Sequence, residues 1–432
     1  EICACLVGSE MCIRDRPVAN RVIELYLQKK SENGGWERQI NGISNNEKAV
    51  LLLEKRTFKE LLVDMELRNL QNNIVGQEAS RLFARAEINM GVEAFRDSLY
   101  SLLKRNTFLN IKFENMLDTL GEISRTDIRS LLGEWEKTTP LPFYSLGEPT
   151  LTKITNKGGE EFFVLKMLIS NNSDYDGIIH MDIRKDGWWY QPLEDPRAKT
   201  KIEMPAHTSK EFVSVWEDQI RNVEINTMVS GNLPNIISQD INNVKQERNK
   251  IVKDSIYILP ESSFDLPGEI IVDNEDSTLF ILSAPPIVGL LPKWLDEVEE
   301  TPFKYSGISW WRPPLQWTAT TNDRYYGKYI RSAFVIKSGD GSQTATWKVP
   351  VPEVGQYDLY YHVFKDDELR WNNNLQGEYH FKVKYGSEVE DAYVNLRKAN
   401  EGWEQLGSYY FDSDTVLSLI HISEPTRHAQ IS

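Results

Sequence analysis

Aromatic side chains beside polar loop residues are the part of this sequence best suited to ligand chemistry. Sugars present apolar C–H faces that stack on indole and phenol rings, so exposed aromatic residues on a β domain can form a glycan platform. The alternative, which the sequence leaves open, is that the same rings pack in a core, where tryptophan and tyrosine are common. The candidate platform residues, each next to polar residues or a glycine, are Trp371, Trp403, Tyr325 and Tyr326.

Catalytic motifs are missing from the sequence. It contains no His-Glu-x-x-His zinc motif, no glycine-rich phosphate loop and no Gly-x-Ser-x-Gly nucleophile elbow. Its three cysteines, Cys3, Cys5 and Cys12, have no cysteine partners in the body of the chain. We therefore predict no catalytic residue, no metal ligand, no cofactor and no hydrolytic activity for this chain.

Acidic and histidine residues suggest further sites, each with a structural alternative. Asn172 to Gly177 fits the first half of a calcium loop, but Ile183 stands where the twelfth position needs a glutamate, which favours a hairpin turn. His362 and His380 could be cross-strand neighbours with a structural role. A third segment, which could bind a structural cation or form a charged strand end, contains Asp273, Glu275 and Asp276.

Charge and hydropathy restrict the classes of partner. The 432 residues include 49 Lys and Arg against 64 Asp and Glu, a formal net charge of −15. This balance argues against a protein that binds nucleic acid by neutralising phosphates. No apolar run approaches the ~18 residues that a membrane span requires. The expected partner is a glycan or a peptide, with no nucleic acid and no transmembrane segment.

Both ends of the sequence look like translated sequencing-library adaptor. The segment from Leu6 to Asp15 and the segment from Leu417 to Arg427 read as products of the two strands of one DNA element. We therefore expect residues 1–16 and 417–432 to be adaptor-derived and to take no part in the fold. The remainder then contains no cysteine, and we expect the protein to continue beyond both ends.

The chain between these ends divides by its hydrophobic pattern. Residues 17–146 have apolar side chains at helical spacing. Residues 147–235 form short alternating segments typical of a small Ig-like β-sandwich, and residues 236–266 are polar and read as a linker. Residues 267–416 are rich in β-strand patterns, tryptophan and tyrosine. The predicted fold class is multidomain α+β, with an N-terminal helical region followed by two antiparallel β-sandwich domains.

The last region contains five segments with a characteristic combination of residues: Ile271–Asp276, Tyr325–Gly327, Ala345–Trp347, Pro352–Tyr361 and Trp403–Phe411. On these segments it resembles the golvesin C-terminal-like domain, a β-sandwich similar to carbohydrate-binding modules. The resemblance covers most of residues 268–416, with a long insertion at about 281–316. It implies a role in glycan binding, protein binding or structural support.

The helical region contains three stretches of interest, which run from Ala94 to Leu103, from Ile128 to Trp135 and from Leu141 to Tyr144. With these stretches, and with a sandwich after the helices, the chain is similar to the end of the catalytic domain in bacterial zinc aminopeptidases of the aminopeptidase-N type. This resemblance is weaker than the first. It implies that the zinc site of the parent lies upstream, and that the location is extracytoplasmic: periplasmic, secreted or on the cell surface. The chain would then be the non-catalytic C-terminal portion of a metallopeptidase. The alternative is a non-enzymatic surface or binding protein.

Overall fold

The computed structural model describes most of the chain between residues 35 and 431. The described ranges are 35–105, 113–125, 127, 137–185, 191–248, 252–261, 264, 268–283, 303–308, 314–337, 340–365, 378–411, 415–423 and 429–431. They fall into two compact units. The first runs from Asn45 to Phe264, and the second comprises Gly35–Ser44 and the described residues from 268 onwards.

The N-terminal part is helical, as the sequence predicts. Buried rings and aliphatic side chains such as Phe83, Phe95 and Leu117 form one core for the helices of the first unit. A capping box between Thr57 and Glu60 starts the third helix. The helices in the described ranges are α1 (Gly35–Asn41), α2 (Asn45–Lys55), α3 (Phe58–Val63), α4 (Gln71–Met90), α5 (Val92–Arg105) and α6 (Phe113–Ser124); α1 belongs to the second unit.

Two sheets follow the helices in the described part of the first unit. The strands are β1 (Tyr144–Leu146), β2 (Thr150–Thr155), β3 (Glu161–Asn171), β4 (Gly177–Lys185), β5 (Gln191–Pro192), β6 (Lys199–Met204), β7 (Thr208–Trp216), β8 (Ile220–Asn226), β9 (Ile236–Asp240), β10 (Val244–Arg248) and β11 (Ser255–Pro260). One sheet has the order β10-β2-β3-β7-β11 with β1 beside β3, and the other has the order β5-β4-β8-β9 with β6 beside β4. Their pairings are antiparallel except for β10 with β2.

Two expectations for this region are wrong. Residues 236–266 are no linker, because β9, β10 and β11 all lie there and pair with β8, β2 and β7. All three are edge strands, whose exposed positions accept the polar residues that suggested a linker. The turn after Asn171 is no hairpin, because β3 and β4 belong to different sheets. The buried Asn171 side chain holds that corner by donating to the Tyr175 and Met204 carbonyls, each at 2.8 Å.

Three buried glutamates tie the helices of the first unit to its β part. Each carboxylate contacts a residue outside the helices, so polar contacts as well as apolar packing join the two layers. The contacts are Asn235 N–H to Glu47 Oε1 at 2.9 Å, Thr139 Oγ1 to Glu78 Oε1 at 3.1 Å, and the ion pair between Glu87 and Lys201.

The second unit is built from antiparallel strands. The strands are β12 (Phe280–Ser283), β13 (Thr318–Thr321), β14 (Ser332–Ile336), β15 (Asp340–Pro350), β16 (Gly355–Val363), β17 (Glu378–Tyr385), β18 (Glu388–Asn395), β19 (Gly402–Phe411), β20 (Thr415–Ser423) and β21 (Ala429–Ile431). A five-stranded sheet has the order β12-β15-β20-β17-β18, a three-stranded sheet joins β13, β14 and β21, and β16 pairs with β19. Helices followed by antiparallel sheets confirm the predicted α+β class.

The C-terminal segment takes part in this fold, contrary to expectation. Strand β20 pairs with β15 on one side and β17 on the other, so that Leu419 lies opposite both Thr346 and Lys382. Residues 429–431 pair with β14. The apolar and β-branched residues of β20 suit a central strand whatever their origin. The adaptor origin stays a prediction, and residues 1–16 lie outside the described residues.

Candidate ligand-binding face

Strands β16 and β19 form a ribbon with one face in the core and one face in solvent. Tyr361, Val363, Tyr409 and Phe411 are buried and belong to the core of the second unit. The Tyr361 ring lies 5.0 Å from that of Phe381 on the five-stranded sheet, centroid to centroid. The ribbon and the sheet thus form two layers around an aromatic core, and the opposite face of the ribbon is exposed.

Four cross-strand pairs make up the outer face of the ribbon. Residues directly opposite each other in an antiparallel pair share a face. All of these side chains are exposed except that of His362, which is half-buried. In order along the ribbon, the pairs are His362 with Trp403, Tyr360 with Gln405, Asp358 with Ser408, and Gln356 with Tyr410.

A β-bulge keeps these pairs on one face. The register shifts between Leu359 and Tyr360, where the extra residue Leu406 separates Gln405 from Gly407. Side chains alternate along a regular strand, so Ser408 and Tyr410 would face away from the side of Trp403 and Gln405. The bulge takes up the extra residue, and Ser408 and Tyr410 therefore lie on the same face as Trp403 and Gln405. Gly407 suits this position because a Cβ there would lie 2.7 Å from the hydroxyl oxygen of Tyr409.

Trp403 is an exposed ring with fixed neighbours. Half of its surface is open to solvent, at 50% exposure. The Tyr326 ring meets it edge-on at 4.9 Å between centroids, and the His362 ring does so at 5.2 Å. Tyr326 and His362 are themselves 5.0 Å apart. The three rings support one another, so the indole presents a defined surface.

His362 is neutral in this cluster at physiological pH. Burial lowers its pKa to about 4, because the charged imidazolium would lose its hydration. Its Nδ1 atom is buried and accepts or donates no hydrogen bond within the described ranges. A neutral imidazole packs against Tyr326 and Trp403 without bringing a charge to the face.

We expect His362 to make stability fall as the pH drops. The pKa of His362 is lower in the folded protein than in an unfolded chain, where it is about 6.5. The contribution of His362 to the free energy of unfolding is therefore complete above about pH 6.5 and is lost as the pH falls towards 4. The slope should be smaller in His362→Phe than in the wild type, because phenylalanine keeps a ring without a titrating group. Urea denaturation of both proteins at pH 7, 6 and 5 measures it. An equal pH slope in the two proteins would contradict this account of His362.

The centre of the face carries a polar group. Asp358 Oδ1 accepts a short hydrogen bond from Ser408 Oγ and a second one from Gln405 Nε2 at 3.3 Å. These side chains come from both strands and fix one another. The arrangement offers acceptors and donors between aromatic residues, which is the composition of a site that orients a polar ligand on apolar surfaces.

The four platform residues predicted from the sequence do not all lie on this face. Trp403 and Tyr326 lie together as described, whereas Tyr325 is only 6% exposed. The Tyr325 ring meets Phe364 edge-on at 4.7 Å and is a packing residue, which is the alternative that the sequence left open. Trp371 lies outside the described residues.

Two exposed tyrosines on the face were not predicted from the sequence. Tyr360 is 47% and Tyr410 is 62% exposed. Each belongs to a Tyr-Tyr pair inside a strand pattern, and the other member of each pair is buried. Period-two alternation within each strand can distinguish the exposed tyrosine from the buried one. It does not show that Tyr410 shares a face with Trp403, because the bulge at Leu406 interrupts the alternation between them.

The acidic segment with Asp273, Glu275 and Asp276 makes contacts within the protein. Asp273 is partly buried beside Glu275 and Asp276, and burial first, then these charges, raises its pKa to about 6. Glu275 accepts from Tyr305 Oη at 3.1 Å and pairs with Lys304. Among the described residues, no group of three or more His, Cys, Asp or Glu side chains is arranged to hold a metal ion.

Two more sequence predictions concern a histidine pair and membrane-spanning segments. His362 and His380 are not cross-strand neighbours, because β16 pairs with β19 whereas β17 lies in the five-stranded sheet. In the part of the chain that the structure describes, none of the helices is both long enough and apolar enough to cross a bilayer.

The strands that carry this face fall within a known domain family. Residues 313–431 match the family model of the golvesin C-terminal domain. The matched residues, the golvesin domain, are similar to that family. The matched range begins later than the predicted domain and extends into the segment that was assigned to adaptor. It contains β13 to β21, and so the entire aromatic face of the golvesin domain.

Comparison with solved structures gives distant similarities. Three are structures of Bacteroides uniformis β-glucuronidase: the enzyme, a calcium-binding mutant of β-glucuronidase 2, and β-glucuronidase 2 covalently bound to cyclophellitol-6-carboxylate aziridine. Each is 10% identical over 70% of this chain, with TM-scores of 0.17, 0.18 and 0.16. The chain covers 30%, 31% and 30% of their lengths. No curated protein matches the chain.

Proposed function

We propose that the golvesin domain of this chain is a non-catalytic carbohydrate-binding module. The observation that carries the proposal is the Trp403 ring, half exposed yet held by Tyr326 and His362 at the end of a face with two more exposed tyrosines. An aromatic surface that is fixed before binding loses little conformational entropy when a ligand stacks on it. The polar group of Asp358, Gln405 and Ser408 supplies orientation.

Affinity gel electrophoresis of the full chain tests this proposal. The gels contain β-glucan, xylan, galactomannan or polygalacturonate, and the variants are Trp403→Ala and Tyr393→Ala. Tyr393 is the matched control, because it is 57% exposed on β18 in the other sheet and also stacks on a histidine, His380, at 4.5 Å. We expect at least one neutral polysaccharide to retard the wild-type chain and Tyr393→Ala, and Trp403→Ala to lose on the order of tenfold in affinity.

Two results would refute the carbohydrate proposal. One is that no polysaccharide in the panel retards the wild-type chain. The other is that Trp403→Ala and Tyr393→Ala migrate alike in every gel. Capture of a peptide or protein through Trp403 in place of a polysaccharide would likewise refute it, and would favour the protein-binding alternative.

The parent protein is the subject of a second proposal, supported by sequence resemblance alone. The residues from Ala94 to Leu103 and from Leu141 to Tyr144 are similar to the end of an aminopeptidase-N-type catalytic domain. On this proposal the parent is an extracytoplasmic bacterial zinc peptidase, and this chain is its non-catalytic portion. The upstream reading frame tests it: a His-Glu-x-x-His followed by a later glutamate supports a zinc peptidase. Absence of that motif leaves the alternative of a non-enzymatic surface protein.

A further inference from the structure

We infer that the outer face of β16 and β19 binds one linear, uncharged polysaccharide chain along its length. This inference rests on the proposed carbohydrate function and adds the shape and charge of the ligand. A platform made by Trp403 alone would suit a single sugar or a chain end. The remaining three cross-strand pairs extend the face well beyond that ring.

Aromatic rings occur at both ends and in the middle of the face. Trp403 and Tyr410 lie opposite His362 and Gln356, which are six residues apart on β16, or about 20 Å at roughly 3.3 Å per strand residue. Tyr360 lies between them on the neighbouring strand, opposite Gln405. A single sugar ring covers one of these side chains, so simultaneous use of all three requires several linked sugars.

Polar groups fill the intervals between the rings. Asp358, Gln405 and Ser408 hydrogen-bond one another at the centre of the face. No described residue forms a hydrogen bond with the hydroxyl groups of Tyr360 and Tyr410. Exposed hydroxyl, amide and carboxylate groups between stacking surfaces match the alternation of hydroxyl edges and apolar faces along a sugar chain.

The charge of the face indicates an uncharged chain. The four pairs contain one carboxylate, that of Asp358, and no lysine or arginine. Arg324, on the loop that carries Tyr326, is engaged with both carboxylate oxygens of Glu401 at 3.0 Å and with the Lys365 carbonyl at 2.9 Å. A polyanion such as a polyuronate would meet a carboxylate with no opposing cation on these pairs, which is unfavourable.

The bulge at Leu406 gives this face its length. If β19 ran through Leu406 as a regular strand with no bulge, alternation from Trp403 and Gln405 would put Tyr409 and Phe411 on the outer side and Ser408 and Tyr410 on the core side. The aromatic face would then end at Gln405. The local irregularity of the ribbon thus brings Tyr410 into line with Trp403 and Tyr360.

A chain-length series tests the inference on the full chain. The probe is the neutral polysaccharide that retards the wild-type chain, with its own disaccharide, tetrasaccharide and hexasaccharide, titrated by calorimetry. We expect affinity to rise from disaccharide to hexasaccharide. Trp403→Ala should weaken binding at every length, whereas Tyr410→Ala should weaken hexasaccharide binding on the order of tenfold and leave disaccharide binding unchanged.

The controls separate this inference from the broader proposal. Tyr360→Ala is a second probe of the long face, in case Tyr410→Ala does not fold, and Tyr393→Ala is the exposed tyrosine control off the face. Equal affinity for disaccharide and hexasaccharide, or unchanged hexasaccharide binding in Tyr410→Ala and Tyr360→Ala, would overturn the inference. Dependence on Trp403 would then still support the carbohydrate function. Tighter binding of polygalacturonate than of any neutral chain would overturn the assignment of charge.

Discussion

Replacing Phe381 with alanine should destabilise the second unit by about 3–5 kcal/mol, which is the usual cost of removing a buried phenyl ring. Phe381 is 1% exposed at the centre of the aromatic core. Its ring lies 5.0 Å from Tyr361 and 6.4 Å from Tyr379, and its strand neighbour Ala392 is also buried. None of these neighbours can fill the cavity without leaving its own strand position.

Hydrogen exchange measured by mass spectrometry locates this effect. Peptides from β16 in the ribbon and β17 in the sheet should exchange faster in Phe381→Ala than in the wild type, because the cavity lies between these two layers. Tyr393→Ala, on the exposed side of β18, should change stability by less than about 1 kcal/mol. Unchanged exchange in β16 of Phe381→Ala, with faster exchange confined to β17, would mean that the two layers do not share this core.

Replacing Lys201 with methionine should destabilise the first unit by a similar amount, about 3–5 kcal/mol. Lys201 on β6 pairs with Glu87 on α4, whose side chain has 0% exposure. The second carboxylate oxygen of Glu87, Oε1, is buried and has no hydrogen-bond partner within the described ranges. Loss of the lysine leaves a buried negative charge without compensation, and that penalty is larger than the value of the ion pair itself.

A double variant distinguishes this cause from a simple loss of packing. Glu87→Gln combined with Lys201→Met removes the buried charge together with its partner, so it should recover most of the stability lost in Lys201→Met. Urea denaturation of the two single variants and the double variant measures the coupling. If the double variant is as unstable as the sum of the single variants, the buried charge is not the cause.

Much of the architecture follows from hydrophobic patterns in the sequence. Helical spacing identifies residues such as Phe95 and Leu99 as a core face. A continuous apolar run identifies β3 as a strand, and alternation identifies β4, β7 and β8. Strands β9 to β11 were missed because edge strands tolerate polar and charged residues in exposed positions. The pairing of β20 was missed because the apparent origin of residues 417–432 says nothing about their propensity to form a strand.

The candidate face could be predicted only in part. Trp403 stands between Gly402 and Glu404, and this polar setting marks it as exposed. Tyr325 and Tyr326 have nearly identical settings, yet one is buried against Phe364 and the other supports Trp403. Which of two adjacent rings faces outwards depends on loop geometry and on register. Tyr410 reaches the face through the bulge at Leu406, which single-strand periodicity does not reveal.

Oxidation of Trp403 with and without polysaccharide tests the central claim most directly. N-bromosuccinimide oxidises exposed indoles, and mass spectrometry of the peptide containing Trp403 measures the extent in the unmodified full chain. With the neutral polysaccharide that retards the chain, we expect Trp403 to be protected and its oxidation to return when the polysaccharide is digested. Retardation by that polysaccharide with unchanged oxidation of Trp403 would contradict the assignment of this face as the binding site.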